Sequence, residues 1–179
     1  LNTNTLELTS FDKLNKRHYC IGQLPNSETV FAGTASGLLM LSEDEELVNL
    51  TVGGSPILAT DIQIHNSQVY VATNKHGILI YSDSTLVNTV DETSGLFSNH
   101  VNSLRWKDNK LYVATLGGFQ VLSEDMTALQ SINRSEGLKA ENIVDFAVRD
   151  QELWLLSGQG IQILDLNDLP PFSFKPELK

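Results

Sequence analysis

The chain has 179 residues, 41% of them apolar, and its 12 Lys and Arg against 22 Asp and Glu leave a formal net charge of −10. That length suits one or two ordinary domains, and the acid excess excludes nucleic-acid and anionic-membrane surfaces, both of which need clustered cations. A single cysteine, Cys20, excludes an internal disulfide and a Cys-based zinc site, and no run approaches the length of a membrane span.

In chain order, the given sequence shows no signal-peptide pattern, and its first residue is Leu, which reads as the start of a piece cut or processed from a longer protein. Thr5-Leu6-Glu7-Leu8-Thr9 alternates as an orphan strand with no partner strand beside it in sequence. Ser10–Arg17 comes nearest to a helical period but is too short to be a helix. Tyr19-Cys20-Ile21 sets the cysteine in an apolar run, as a buried structural thiol. The next apolar segments are Val30-Phe31-Ala32-Gly33-Thr34, then Gly37-Leu38-Leu39-Met40-Leu41, then Leu47-Val48-Asn49-Leu50.

From there the chain repeats. Val69-Tyr70-Val71-Ala72-Thr73, Leu111-Tyr112-Val113-Ala114-Thr115 and Leu153-Trp154-Leu155-Leu156-Ser157 start 42 residues apart, and Val30–Thr34 lies 39 residues before the first of them. Gly53, Gly95 and Gly137 keep the same 42-residue step, as do Ile62, Leu104 and Phe146. Each unit predicts four strands. The first covers 59–64, 101–106 and 143–148, and a polar turn rich in Asn and Asp follows it, residues that tolerate left-handed backbone. The second is the segment just aligned. A Thr or Ser, a few residues and a Gly then form a hairpin into the third strand, and a short fourth strand closes units one to three.

The fourth unit has no evident outer strand, because Leu164 is followed by a turn sequence and by Pro170-Pro171. The expectation is an all-β β-propeller of four four-stranded blades of about 40 residues, forming either a closed small ring or part of a larger one. The units fall at 10–51, 52–90, 91–133 and 134–168, with 1–9 as an orphan outer strand and 169–179 as a tail. The orphan strand either belongs to a preceding blade or completes the last one, and two chains pairing into one ring is a further arrangement.

Gly95–Leu122 and Gly137–Leu164 resemble the two-component regulator propeller repeat. The residues that carry this are Gly95-Leu96, Val101, Leu104, Leu111–Thr115 and Gly118-Phe119, then Gly137-Leu138, Ile143, Phe146, Leu153-Trp154-Leu155 and Gly160-Ile161. The family Trp stands only at Trp154, and the Gly before Thr only at Gly33. The resemblance implies the periplasmic sensor region of a Bacteroidetes-type hybrid two-component regulator. Such a module is periplasmic or extracellular, non-enzymatic, and responds to glycan-derived ligands. Family propellers usually carry seven blades, roughly 290 residues at this unit size, so the resemblance implies a fragment of a sensor without its kinase. A protein-interaction scaffold at the cell surface and a propeller lyase are the alternatives.

No catalytic motif, cofactor motif or metal-ligand spacing appears, so no catalytic residue, cofactor or metal is expected. The candidate ligand-binding residues are His76, Phe97, Asn99 and His100, because second-to-third hairpins and the connections into inner strands share one face of a propeller. Trp106 is a further aromatic platform or an inter-blade filler. Asp61, Ser103 and Asp145 occupy equivalent inner-strand positions, as a polar ring or as groups that bond backbone at blade junctions. The expected partner is a small molecule or oligosaccharide, or an adjacent propeller or partner domain, with a homodimer as one form and no nucleic acid or membrane insertion.

Overall fold

The computed structural model describes residues 17–25, 27–44 and 46–172. Four antiparallel sheets follow one another along the chain. Sheet one takes β1 (His18–Gln23), β2 (Val30–Thr34), β3 (Gly37–Leu41), β4 (Leu47–Val52) and β5 (Ser55–Pro56). Sheet two takes β6 (Ala59–His65), β7 (Gln68–Thr73), β8 (Ile78–Ser82) and β9 (Thr85–Val90). Sheet three takes β10 (Val101–Lys107), β11 (Lys110–Thr115), β12 (Gly118–Leu122) and β13 (Ala128–Ile132). Sheet four has only β14 (Ile143–Arg149), β15 (Glu152–Ser157) and β16 (Gly160–Asp165). In every sheet the strands lie side by side in chain order, and no α-helix occurs among the described residues.

The strand count corrects the expectation of four per unit. Sheet one gains β5 because Gly53 and Gly54, both at positive φ, turn Ser55-Pro56 back onto β4. Gly53 therefore makes a hairpin. Its repeat partners Gly95 and Gly137 are left-handed caps on the 3-10 turns Glu92–Ser94 and Arg134–Glu136. In sheet four the chain leaves β16 through a 3-10 turn at Leu166–Asp168 and crosses to the outer edge of sheet three. There the Ser131 amide donates to the Pro170 carbonyl (3.1 Å) and the Phe172 amide to the Leu129 carbonyl (3.0 Å). The two prolines have no N–H to give, so the strap pairs through its carbonyls and Phe172.

The inner strands β1, β6, β10 and β14 pack side by side in that order. No comparable packing joins β14 back to β1 among the described residues, so the sheets form an arc of a β-propeller-like fold and no closed ring. The core lies in the junctions. Phe31, Leu38, Met40 and Leu50 of sheet one meet Ile62, Val69, Val71 and Leu79 of sheet two. Tyr70, Ile78 and Ile80 meet Leu104, Leu111 and Val113 at the second junction. Phe119, Val121 and Ile132 meet Phe146, Leu153 and Leu155 at the third. Sheets two and three are covered on both faces, which is why their middle strands are apolar at nearly every position. Each such side chain fully buried contributes about 1.5–3 kcal/mol.

Every inner strand carries a register shift near its start, between His18 and Cys20, Ala59 and Asp61, Val101 and Ser103, and Ile143 and Asp145. Such a bulge re-aims a side chain. The residue inside it clasps the next sheet in two cases: Thr60 donates to the Val101 carbonyl (2.6 Å) and Asn102 to the Ile143 carbonyl (2.7 Å). The tight first turns have positive φ at Asn66-Ser67, at Asp108-Asn109 and at Asp150, as their composition predicts.

Candidate functional site

The face built from hairpins and connections holds all four candidate residues. Its hairpins are clasped identically. The Thr34, Thr73, Thr115 and Ser157 hydroxyls donate to the carbonyls of Gly37, Gly77, Gly118 and Gly160 at 2.9–3.2 Å and accept a loop amide in return. In sheets one to three a second repeated bond ties the tip to the connection feeding the same sheet: Ala35 amide to Arg17 carbonyl, Asn74 to Leu58, and Leu116 to His100, at 2.9–3.1 Å. A Cβ on Gly77 would collide with the Val90 carbonyl, so only glycine lets this hairpin approach β9.

His76 and His100 lie on adjoining loops. The Gly77 amide donates to the Asn99 carbonyl (2.9 Å), which seats the His76 hairpin on the 97–100 connection. Both histidines are half-buried. The His76 amide is held by Thr73 Oγ1 (2.8 Å) and the His100 amide by Ser98 Oγ (3.1 Å), while neither imidazole hydrogen-bonds another described residue. Two free imidazoles on touching loops are suited to take hydrogen bonds from, or give them to, a ligand on this face.

Phe97 and Asn99 sit beside them but are occupied. The Phe97 ring lies over Gly117 and Gly118 and 6.2 Å from the Phe172 ring on the strap. The Asn99 side chain accepts the Glu92 amide (2.9 Å), and its own amide donates to Glu92 Oε1 (2.7 Å). Asn99 thus knots its connection in place. Packing engages the first side chain, and hydrogen bonds engage the second.

Two residues that pattern reading passes over hold the connections down. Gln120 is buried in β12. Its Nε2 donates to the Gly95 carbonyl (3.0 Å) and its Oε1 accepts the Phe97 amide (2.7 Å). Gln162, one repeat later, does the same to Gly137 (3.1 Å) and Lys139 (3.0 Å). The signal is present in the repeat: sheets three and four read Gly-Phe-Gln and Gly-Ile-Gln, where sheets one and two have Leu39 and Leu79.

Along the inner strands Asp61, Ser103 and Asp145 come together around a fourth residue, Arg105. Its Nη1 is 3.2 Å from Asp61 Oδ2 and its Nη2 3.7 Å from Asp145 Oδ1. Ser103 Oγ donates to Asp145 (2.8 Å) and lies 3.3 Å from Asp61. Asp61 also accepts the Ile62 amide of its own strand and the Leu104 amide of the next (both 2.8 Å). Each carboxylate is therefore engaged with backbone and guanidinium, and the set works as a polar seam linking three sheets.

The opposite face carries an aromatic stack. His65 stacks on Trp106 with centroids 3.9 Å apart and planes at 11°, and its Nε2 is 3.5 Å from Glu124 Oε1. Tyr70 meets the same indole edge-on at 5.0 Å. Trp106 is thus filler between sheets two and three, and His65 belongs to that stack although its polar turn predicts solvent exposure. Among the described residues no group of His, Cys, Asp and Glu is arranged to hold a metal, and no helix is long and apolar enough to cross a membrane.

No family model matches the chain, and no curated protein matches it in sequence. Its fold is found in solved structures. The extracellular domain of the hybrid two-component system BT3049 of B. thetaiotaomicron superposes with a TM-score of 0.72 at 16% identity, over 93% of this chain and 24% of that one. The extracellular domain of a one-component system of the same organism, BT4673, gives 0.70 at 17% identity, over 88% of this chain and 25% of that one. The computationally designed protein Ika8 gives 0.60 at 12% identity, over 87% of this chain and 48% of that one. The chain therefore spans about a quarter of the length of the two natural domains. At these identities what is shared is the fold: sheets of this kind, in this order, built into extracellular domains of bacterial signalling systems.

Proposed function

We propose that the chain is a non-enzymatic sensing segment of a propeller in the periplasmic or extracellular region of a two-component regulator. Its ligand is derived from a glycan and binds on the face of hairpins and connections. The observation that carries the reading is the superposition on the BT3049 extracellular domain over 93% of the chain. The repeat residues Gly95-Leu96 to Gly118-Phe119 and their 42-residue echoes support the same family. His76 and His100 are the contacts to the ligand, since their rings are unbonded and their loops touch. Phe97 and Asn99 hold those loops in position. Isothermal titration of the chain against a panel of oligosaccharides tests this. One saccharide class is expected to bind, and His76→Ala with His100→Ala to weaken it by roughly tenfold or more, as for two lost hydrogen bonds. Binding that is unchanged in the double variant, or a panel with no binder, overturns the reading.

A further inference from the structure

We propose that the junction between sheets three and four holds a binding site of its own, on the face opposite the hairpins, and that its ligand is a small uncharged polyol. Comparison with the junction before it locates the site. Between sheets two and three the His65–Trp106 stack fills the space at this end. Trp106 covers Tyr70, whose hydroxyl donates to Gln68 Oε1 (3.0 Å), and the indole N–H is shut off from water. One 42-residue repeat later His65, Gln68, Tyr70, Trp106 and Glu124 become Lys107, Lys110, Tyr112, Val148 and Leu166. The register of β14 on β15 matches that of β10 on β11, so Val148 stands in the place of the indole. Valine is too small to fill that place, and a cavity of about 490 Å³ opens between the sheets.

The cavity has a polar group built into its wall. Tyr112 lines it and is only 6% exposed, yet its hydroxyl hydrogen-bonds no described residue, because Lys110 replaces the glutamine that Tyr70 uses. Burial first, and then the Asp108 charge, hold this hydroxyl above its ordinary range, so at neutral pH it is an O–H donor. A side chain so buried with its polar atom unpartnered is rare, and this one borders a cavity of small-molecule size. The Lys110 ammonium is likewise without a hydrogen bond or ion pair to a described residue. Lys107 reaches across to the Asp150 carbonyl of the facing turn (3.3 Å). Gln130 Nε2 donates to the Leu166 and Leu169 carbonyls (3.4 and 3.1 Å), which leaves its Oε1 to accept.

Charge and hydrogen-bond type select the ligand. Lys107 and Lys110 are matched by Asp108 and Asp150, so the wall carries no net charge and an ion would meet repulsion as well as attraction. The ammoniums only donate and the carboxylates only accept. A hydroxyl does both, and a molecule with several hydroxyls satisfies the two kinds of group at once. Leu129 and Leu166 offer apolar contact to its C–H edges. The proposal does not rest on the hairpin-face reading, since none of these residues belongs to the His76 and His100 loops.

Amide NMR of the chain, titrated at millimolar concentration with D-glucose, D-galactose, D-mannose and myo-inositol, tests the proposal. At least one of the four is expected to shift the Lys110, Tyr112 and Gln130 amides saturably. His76→Ala with His100→Ala is expected to leave that response unchanged, which keeps the outcome separate from that of the hairpin face. Val148→Trp restores the plug of the preceding junction and is expected to abolish the response. Lys110→Gln, at an exposed turn position, gives Tyr112 the partner that Tyr70 has and is expected to weaken binding roughly tenfold. No saturable shift at these amides with any of the four overturns the proposal. A response that survives Val148→Trp in a folded chain, or that Lys110→Gln leaves unchanged, overturns it as well. Acetate or phosphate moving the same amides where the polyols do not overturns the polyol and assigns the lysines to an anion.

Discussion

Sheets three and four are built from closely matching repeats, yet one is buried on both faces and the other on one. Phe119 in β12 lies edge-on to Phe146 at 5.0 Å and is fully buried, while Ile161, one repeat later in β16, faces outward. A junction in this fold is thus a property of two sheets, and the repeat carries both of its halves in every unit. What differs between the middle of the arc and its ends is the neighbour and not the sequence of the face. Chemical denaturation separates the two. Phe119→Ala is expected to lower stability by about 3–5 kcal/mol, as for an aromatic removed from a closed core. Ile161→Ala is expected to change it by no more than about 0.5 kcal/mol. Equal losses would mean that the outward face of sheet four is packed within one chain.

The same contrast runs through the glutamine struts. Gln120 is sealed between its strand and the Gly95–Phe97 connection, whereas the bonds of Gln162 to Gly137 and Lys139 are open to water. Gln120→Leu leaves a buried amide and a buried carbonyl without partners and is expected to cost about 1–3 kcal/mol. Gln162→Leu loses bonds that water replaces and is expected to cost less than about 1 kcal/mol. Amide hydrogen exchange at Phe97 and Lys139 reads this directly: protection collapses at Phe97 in the first variant and changes little at Lys139 in the second.

The units and their strands were legible because burial on alternating faces leaves a period-two signature, and because a fixed unit length repeats it in register. The Thr–Gly hairpins were legible for the same reason, as was the missing outer strand of the fourth unit. Gly53 misled because a repeated spacing preserves positive φ and not the turn that uses it. The strap was invisible because Pro170-Pro171 signals only where a strand stops, while its pairing partner, β13, lies a full repeat earlier in the chain. The engagement of Phe97 and Asn99 with Phe172 and Glu92 depends on contacts across the connection that no periodicity records. Arg105 carries no sequence signal for a related reason: its two carboxylates sit about one repeat before it and one repeat after it, in the neighbouring sheets.

The two 3-10 turns offer a finer comparison. Asp91 and Asn133 cap equivalent turns with the same capping box, one charged and one neutral. Hydrogen bonding, first from the Thr93 hydroxyl, holds the Asp91 carboxyl below its ordinary range. A carboxylate whose pKa falls on folding stabilises above its unfolded pKa, and the contribution is lost as pH falls through the folded one. Asp91→Ala is expected to cost about 1 kcal/mol at neutral pH. Asp91→Asn, which copies Asn133, is expected to keep most of that stability and to flatten the acid limb of the stability–pH curve. An acid limb identical in Asp91→Asn and the parent would remove Asp91 from that dependence.

The smallest effect on stability tests the two faces of sheet one. Tyr19 and Ile21 point outward from β1, while Cys20 between them turns toward sheet two, its Sγ close to Gly33 and the Ala59 side chain. Burial first, and then the nearby Asp61 charge, push its thiol from 9.0 up to about 11. A thiolate is the reactive form, so alkylation at pH 8 is expected to run roughly ten- to a hundredfold slower than in the unfolded chain, with its midpoint near the raised value. The lower end of that range allows for the greater nucleophilicity of a more basic thiolate. Stability itself is not expected to change below the ordinary thiol pKa, because the group is protonated there in both states. A midpoint close to 9 in the folded chain would mean that water reaches the inner face of sheet one as freely as the outer. The first junction would then be open, and the arc would begin at sheet two.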